Sequence, residues 1–299
     1  MFVALTTSAL VAADSVTLHV APTGNDAWSG ALASPNPTHT DGPVASLAGA
    51  VARIRELRAK RNDRPNALVL VQGGEYSITT PLVLTAEDSG LRFAAESGAR
   101  PVFNGGRRIA GWQRGTDGVW TATVSEVAAG RWYFEQLWVN GHRATRARTP
   151  NDFYYYMAGK VAHGTDPLTG QPADLSRRAF KARAEDVQSR SNLPTNHLSD
   201  VTVVVYHSWE ISRHRLAAFD PASATLITSG EAPWAFMQWG ATQRYHLENF
   251  RAALDEPGEW FLDRDGTLSY LPLPGEDMTK AEVFAPVVEQ FILLQGEPE

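Results

Sequence analysis

The 299-residue sequence predicts an all-β fold, namely a parallel β-solenoid that carries an N-terminal capping helix and an inserted antiparallel β module. Short apolar runs recur about every 9 to 14 residues between Ala67 and Phe103, which is too close for intervening helices. The apolar residues of one segment, 47–57, have the spacing of an amphipathic helix. Sequences typical of β-hairpin turns occur after residue 109.

Composition places the chain among globular proteins. Hydrophobic residues make up 43% and charged residues 20%, which argues against a disordered chain, and a net charge of −6 disfavours nucleic acid as a partner. No stretch reaches the ~20 apolar residues of a membrane span. Cysteine is absent, so disulfides, Cys-ligated zinc and thiol nucleophiles are excluded. We also expect a monomer that has no membrane span, no metal site and no organic cofactor.

The N-terminal residues 1–13 (MFVALTTSALVAA) form the longest apolar run and end in small residues that signal peptidase accepts. This pattern predicts the remnant of a signal peptide and hence a secreted or periplasmic protein. An irregular N-terminal segment is the alternative, because the basic residues that usually precede such a run are missing.

Residues 14–108 are predicted to hold the cap and the first turns of the solenoid. Val16–Ala21 alternates as a strand. Ser46 is a candidate N-cap, and the apolar residues that follow have helical spacing: Leu47, Ala50, Val51, Ile54 and Leu57. Such a helix would cover the end of a stack whose strand edges are otherwise open.

Residues 109–282 are predicted to form the antiparallel module. Asn140-Gly141 and Asp265-Gly266 lie between strand-like segments and are typical of hairpin turns, and Val201–Tyr206 reads as a further strand. Residues 283–299 return to short apolar runs of solenoid type. A solenoid of few turns needs a terminal cap, and 297–299 (EPE) do not provide one, so we expect a fragment from the N-terminal part of a longer protein.

Longer motifs carry a family resemblance. The strings VAPTGND at 20–26, GGEY at 73–76 and DSG at 88–90 resemble the N-terminus of secreted bacterial right-handed parallel β-helix proteins that act on polysaccharides. LWVNG at 137–141, RATRARTP at 143–150, HSW at 207–209 and LDEPGEW at 254–260 resemble the group around glycoside hydrolase family 141. The resemblance implies fucosidase or xylanase chemistry, with catalytic acids on later turns beyond residue 299.

Six residues are predicted to bind a polysaccharide or oligosaccharide: His207, Trp209, Arg146, Arg148, Trp234 and Trp239. His207 and Trp209 share one face of a strand end, where an imidazole can hydrogen-bond a sugar whose apolar face stacks on the indole. Arg146 and Arg148 share a strand face and could clamp a uronate carboxylate. Trp234 and Trp239 flank a loop. A purely structural role, as buried aromatics and surface ion pairs, is the alternative for all six.

Carboxylates are densest between Asp255 and Asp265, but their neighbouring Pro and Gly residues indicate turn roles. The function predicted is therefore that of the N-terminal portion of a glycoside hydrolase acting on plant or complex polysaccharide, without an assigned catalytic residue. Two alternatives stay open, a polysaccharide lyase and a non-catalytic carbohydrate-binding or adhesion module. Paired carboxylates further along the chain would favour the hydrolase, and a Lys or Arg cluster would favour the lyase.

Overall fold

The computed structural model describes residues 15–61, 63–115, 117–188 and 197–296. The predicted signal-peptide segment 1–13 and the last residues 297–299 lie outside this described part. The chain divides into two compact units. The first runs up to Arg107 and resumes at Pro286, and the second spans Arg108–Ala285.

The first unit contains the predicted helix, α1, at Leu47–Ala59. Ser46 is its N-cap, as predicted, because the Ser46 hydroxyl accepts a hydrogen bond from the Gly49 backbone N–H at 2.9 Å. The Asp26 carboxylate accepts bonds from the Ser46 N–H and hydroxyl at 2.9 and 2.7 Å, which holds the helix start in place. The helix buries its apolar side through Ala50, Val51 and Ile54.

The strands of the first unit are short, and they pair in parallel. In chain order they are β1 Val16–Val20, β2 Ala67–Val71, β3 Gly74–Ser77, β4 Leu82–Thr85, β5 Leu91–Ala95 and β6 Pro101–Asn104, followed by β7 Gly106–Arg108 at the junction. β1, β2 and β5 form one sheet, in which Leu18 lies beside Val69 and Val69 beside Phe93. β3 and β6 form another.

The second unit is built mainly from antiparallel strands. They are β8 Gln113–Arg114, β9 Trp120–Thr123, β10 Trp138–Val139, β11 His142–Arg143, β12 Thr145–Arg146, β13 Arg148–Thr149, β14 Tyr155–Tyr156, β15 Gly159–Lys160, β16 His163–Thr165, β17 Pro172–Asp174, β18 Ala179–Lys181, β19 Thr202–Tyr206, β20 Ile211–Asp220, β21 Thr225–Thr228, β22 Arg244–Glu248, β23 Glu259–Leu262, β24 Thr267–Tyr270 and β25 Val283–Pro286. Two short helices, α2 Ser125–Ala128 and α3 Ala184–Gln188, join them.

An eight-stranded sheet dominates this unit, in the order β13-β22-β19-β20-β21-β18-β15 with β14 also pairing with β22. Its neighbouring strands are antiparallel. A five-stranded mixed sheet, β12-β23-β24-β9-β8, contains one parallel pair, β12 with β23. One face of the large sheet packs into a hydrophobic core that includes Val203, Val205, Tyr245, Leu247 and Phe180.

Both predicted hairpins are confirmed. β10 and β11 pair across Asn140 and Gly141, whose φ angles are +50° and +79°, as a two-residue turn of this kind requires. β23 and β24 pair across residues 263–266, with Gly266 at φ +87°. The closing strand β26, Ile292–Gln295, lies in the first unit and pairs in parallel with β4.

The prediction of an all-β fold is confirmed, but the prediction of a right-handed parallel β-helix is wrong. The described residues form several separate sheets, and the largest of them is antiparallel. The parallel sheets of the first unit have two or three strands each and do not continue into a stack of coils. The spacing of short apolar runs indicates strand length, but it carries no information about which strands are partners or how many strands join one sheet.

Replacing glycine in the two confirmed hairpins should have unequal costs. Gly141→Ala should lower the free energy of unfolding by about 1 kcal/mol, the usual penalty for a side chain at positive φ. Gly266→Ala should cost at least roughly 2 kcal/mol, because its Cβ would also lie 2.5 Å from the Val124 carbonyl oxygen, whereas nothing lies within 4 Å of a Cβ at Gly141. Urea unfolding followed by circular dichroism measures both. Equal losses would contradict the turn geometry.

Candidate functional site

Three of the predicted residues, Trp209, Trp234 and Trp239, form an aromatic cluster at the surface. The ring centroids lie 5.1 Å apart for Trp209 and Trp234, 5.0 Å for Trp209 and Trp239, and 5.5 Å for Trp234 and Trp239. These are the separations of favourable aromatic pairs. Trp209 is nevertheless 65% exposed and Trp239 50% exposed. The cluster, called here the tryptophan platform, therefore presents a broad apolar surface to solvent.

Two loops supply the tryptophan platform. Trp209 lies in the connection between β19 and β20, and Trp234 and Trp239 lie in the connection between β21 and β22. Phe236 anchors the second loop, because it is buried and its ring lies 5.4 Å from the Phe180 ring in the core. The platform thus stands on loops that the large sheet holds in position.

His207 supports the tryptophan platform from below. It is buried, and its ring lies 5.7 Å from the Trp234 ring. The side-chain oxygen of Gln243 accepts a hydrogen bond from the Met237 N–H, which fixes the orientation of the amide. Gln243 Nε2 therefore faces His207 and donates to His207 Nδ1 at 3.0 Å. His207 Nε2 then donates to Ser212 Oγ at 2.7 Å. Burial holds the pKa of His207 below its usual value. Both ring nitrogens are already engaged within the protein, so they are not free for a sugar hydroxyl.

A pocket of about 200 Å³ opens beside Trp239. Its lining combines the edge of the tryptophan platform with polar side chains that can donate or accept hydrogen bonds: Tyr206, Ser208, Gln238, Thr242, Gln243 and Arg244. A concave site with one apolar wall and several polar groups is the usual form of a small-molecule site.

The second face of the large sheet is polar at this end. In β22 (RYHLE) the side chains alternate, so that Tyr245 and Leu247 enter the core while Arg244, His246 and Glu248 share the opposite face. This alternation is visible in the sequence, and it is the signal that would have identified Arg244 as a candidate.

A hydrogen-bonded chain runs along this polar face. Tyr206 Oη donates to His246 Nδ1 at 3.1 Å, and His246 Nε2 donates to the Glu248 carboxylate at 3.3 Å. Arg213 also donates to that carboxylate. Arg146 Nη1 lies 3.7 Å from it. Glu248 and His246 are both buried, so these partners replace the water that the two groups have lost.

Burial and neighbouring charges set the protonation states of Glu248 and His246 in this hydrogen-bonded chain. Burial opposes ionisation of Glu248, but the His246 hydrogen bond and the nearby Arg213 and Arg146 outweigh it and hold the pKa of Glu248 below its usual value. Burial, the dominant effect at His246, lowers its pKa below the usual value, although the bond to Glu248 opposes this. Glu248 is therefore ionised and His246 neutral at pH 7.

Arg244 differs from the other arginines of this face. Its guanidinium lies 5.0 Å from the Tyr154 ring centroid and 5.8 Å from the Tyr206 ring centroid. The two tyrosine rings pack edge to face with centroids 4.6 Å apart. Arg244 is exposed, and its side chain forms neither an ion pair nor a hydrogen bond with any described residue. It is a stacked cation without a carboxylate partner in the described part of the chain.

Arg146 and Arg148 do not form the clamp that their spacing suggested, because they belong to different sheets. Arg146 is buried, its guanidinium lies 5.8 Å from the Trp260 ring centroid, and its nitrogens make no hydrogen bond with another described residue. The Arg148 guanidinium is engaged by the carbonyl oxygens of Pro150 and Phe153 at 3.0 and 2.9 Å. Neither guanidinium lines the pocket beside Trp239.

In the acidic run at 255–265, Asp265 has the turn role that its neighbouring glycine predicted, whereas the Asp255 carboxylate accepts a bond from the Asn151 side chain at 2.9 Å. The Asp265 carboxylate accepts a bond from the Thr267 N–H at 2.8 Å within the hairpin. The buried Glu259 carboxylate accepts bonds from the backbone N–H groups of Arg148, Asp255 and Glu256 at 3.1–3.2 Å. Burial outweighs these bonds and raises the pKa of Glu259 to about 7.

Glu259→Gln should flatten the pH dependence of stability. The folded-state pKa of Glu259 is raised above its unfolded value, so its contribution to stability is complete below about pH 4.5 and is lost as the pH rises through about 7. As the pH rises from about 4.5 to about 7, the free energy of unfolding of the wild type should fall by roughly 1–3 kcal/mol relative to that of the variant. Denaturant unfolding across this range measures the difference. Glu256→Gln, which removes an exposed carboxylate from the same turn, is the control, and an equal flattening there would contradict the assignment.

Within the described ranges, no group of three His, Asp or Glu side chains could hold a metal ion. None of the helices in these ranges combines the length and the hydrophobicity of a membrane span.

A family model described as the GH141 insertion domain matches residues 117–273. One solved structure, described as a glycoside hydrolase, matches with a TM-score of 0.72 and 24% sequence identity over 94% of this chain. The match covers 48% of that protein, so this chain spans about half its length. At this identity the likeness shows a shared fold.

A second solved structure, a complex of XylC with xylose, matches with a TM-score of 0.37 and 12% identity, over 93% of this chain and 32% of the other. That score is too low to support a statement about fold or ligand. No curated protein sequence matches the chain.

Proposed function

The chain belongs to the GH141 insertion-domain family, and on that premise we propose that it is part of a secreted glycoside hydrolase acting on plant or complex polysaccharide. Within such an enzyme, the second unit would bind the glycan. The fold shared with a structure described as a glycoside hydrolase supports the proposal. It assigns binding, and no catalytic acid, to the described residues.

The observation that carries the proposal is the tryptophan platform. Large aromatic side chains are normally buried, and a cluster of them left exposed marks a surface that a ligand covers. Indole rings offer flat apolar faces, and pyranose rings present a face of C–H groups that can stack on them. Trp209 and Trp239 have the exposure that such stacking requires.

The polar groups beside the platform fit the rest of a sugar. A pyranose carries hydroxyl groups around its rim, and the pocket beside Trp239 offers the hydroxyls of Ser208 and Thr242 and the amide of Gln238. His207 has a positioning role in this proposal. Its hydrogen bonds to Gln243 and Ser212 fix the imidazole ring, which packs against Trp234. A shallow site of this kind favours affinity in the millimolar range, about 4 kcal/mol.

A secreted or periplasmic location belongs to the same proposal, because polysaccharides are too large to enter a cell intact. Fractionation of expressing cells tests it, and accumulation of the protein in the cytoplasm would count against it.

Trp209→Ala and Trp239→Ala should each weaken binding of xylo-oligosaccharides or fucosylated oligosaccharides by at least about tenfold, because each removes a stacking face. Isothermal titration calorimetry or ligand-observed NMR is the suitable measurement, since neither relies on tryptophan fluorescence. Trp138→Ala is the matched control: Trp138 is 40% exposed but lies on β10, away from the platform loops.

A Trp138→Ala loss as large as the platform losses, or no binding by a folded wild type, would remove the sugar-binding role. The hydrolase assignment has its own test, release of reducing sugar from the same polymers by the full-length protein. Binding without any release would favour a non-catalytic adhesion or binding module. An unsaturated product would favour a lyase.

A further inference from the structure

We propose that the pocket beside Trp239 recognises an acidic sugar, a hexuronate, by pairing the sugar carboxylate with Arg244. The inference rests on the proposed function and specifies its substrate class, a glycan that carries carboxylates. Arg244 and Trp239 line the same pocket, so that one ligand can stack on the indole and reach the guanidinium. A volume of about 200 Å³ lies below the roughly 300–1,000 Å³ of sites for drug-sized ligands, which suits a single sugar unit.

The first support is the unsatisfied charge of Arg244. Its neighbours on the polar face already have partners: Arg213 pairs with Glu248, and Arg215 pairs with Glu135. The Arg244 side chain has neither an ion pair nor a hydrogen bond among the described residues. An exposed guanidinium therefore retains its full set of donors for a ligand.

The second support is preorganisation. The Tyr154 and Tyr206 rings stack with the Arg244 guanidinium, which limits the conformations of a long side chain. Tyr206 is itself fixed by its bond to His246, and His246 by its bond to Glu248. A guanidinium held in one orientation loses less conformational entropy when it pairs with a carboxylate.

The third support is the sign of the local charge. The chain of hydrogen bonds that begins at Tyr206 ends at the buried Glu248 carboxylate. Two other arginines already compensate this carboxylate: Arg213 donates a hydrogen bond to it, and Arg146 Nη1 lies 3.7 Å from it. His246 and His207 are neutral at pH 7, because burial lowers the pKa of both. Among the described residues, Arg244 therefore keeps a positive charge without a carboxylate partner. A planar guanidinium pairs with a carboxylate through two parallel hydrogen bonds, which neutral sugars cannot match.

The test compares each acidic oligosaccharide with its own methyl ester, which keeps the sugar ring and removes the charge. The probes are oligogalacturonides and glucuronate-bearing xylo-oligosaccharides, titrated calorimetrically into the full chain. The wild type should bind at least one acid at least about tenfold more tightly than the corresponding ester. Arg244→Gln should abolish that preference while leaving affinity for the ester within about twofold. Arg244→Lys, which keeps the charge without the planar fork, should give an intermediate loss.

Arg143→Gln is the matched control, because it removes the same charge from an exposed position on β11, in a different sheet. It should leave the preference for acid intact, and circular dichroism checks that every variant is folded. Trp239→Ala should weaken acid and ester alike, which separates the platform from the charge. Equal wild-type binding of acid and ester, no binding of either acid, or an equal loss in Arg143→Gln would overturn the inference. The proposed function survives the first result if the Trp239→Ala loss remains.

Discussion

The polar face of the large sheet depends on the compensation of one buried negative charge, the Glu248 carboxylate. A carboxylate removed from water is costly unless ion pairs and hydrogen bonds replace its hydration. Glu248 obtains them from Arg213 and His246, with Arg146 close by, and these side chains are thereby fixed. The constraint then extends outward, because His246 fixes Tyr206, and Arg244 stacks on Tyr206. The orientation of an exposed arginine thus follows from the needs of a buried glutamate.

The opposite face of the same sheet supplies the rigidity for this arrangement. Tyr245 and Leu247, the alternate residues of β22, are fully buried in a core of aliphatic and aromatic side chains. Phe180 packs edge to face with both Tyr245 and Phe236, with ring centroids 4.8 and 5.4 Å apart. Because Phe236 lies between Trp234 and Trp239 in sequence, its burial holds their loop against the sheet. The exposed aromatics are therefore a stable surface of the protein rather than a consequence of loose packing.

The proposed sugar-binding surface would combine two physically different kinds of contact. Stacking on indole is insensitive to the detailed pattern of hydroxyls, whereas pairing with a carboxylate is selective and directional. Combining the tryptophan platform with Arg244 would give general affinity from one part of the site and discrimination from another. The two contributions come from different elements, loops for the indoles and strand β22 for the arginine. They are therefore separable by substitution.

Local chemistry alone determined the features that were predicted correctly. Ser46 begins α1 because its hydroxyl satisfies a free N–H of the first turn, and Gly141 and Gly266 close hairpins because other residues tolerate positive φ poorly. The sequence also determined that strands dominate, and it carried the motifs that resemble glycoside hydrolase family 141. All of these depend on residues a few positions apart.

Tertiary structure alone decided how the strands are divided among sheets and which residues form the site. The short apolar runs predicted a parallel β-helix, yet their parallel strands form separate sheets of two or three strands, because strand partners are chosen by packing between distant segments. Arg146 and Arg148 are two residues apart but belong to different sheets, whereas Trp209 and Trp239 are thirty positions apart and their rings lie 5.0 Å from each other. The number of residues between two positions therefore predicts neither whether they share a sheet nor how far apart their side chains lie. Only the folded arrangement of β19, β20 and β22 brings together the tryptophan platform, the pocket and Arg244, which has no ion-pair partner among the described residues, since each comes from a different part of the sequence.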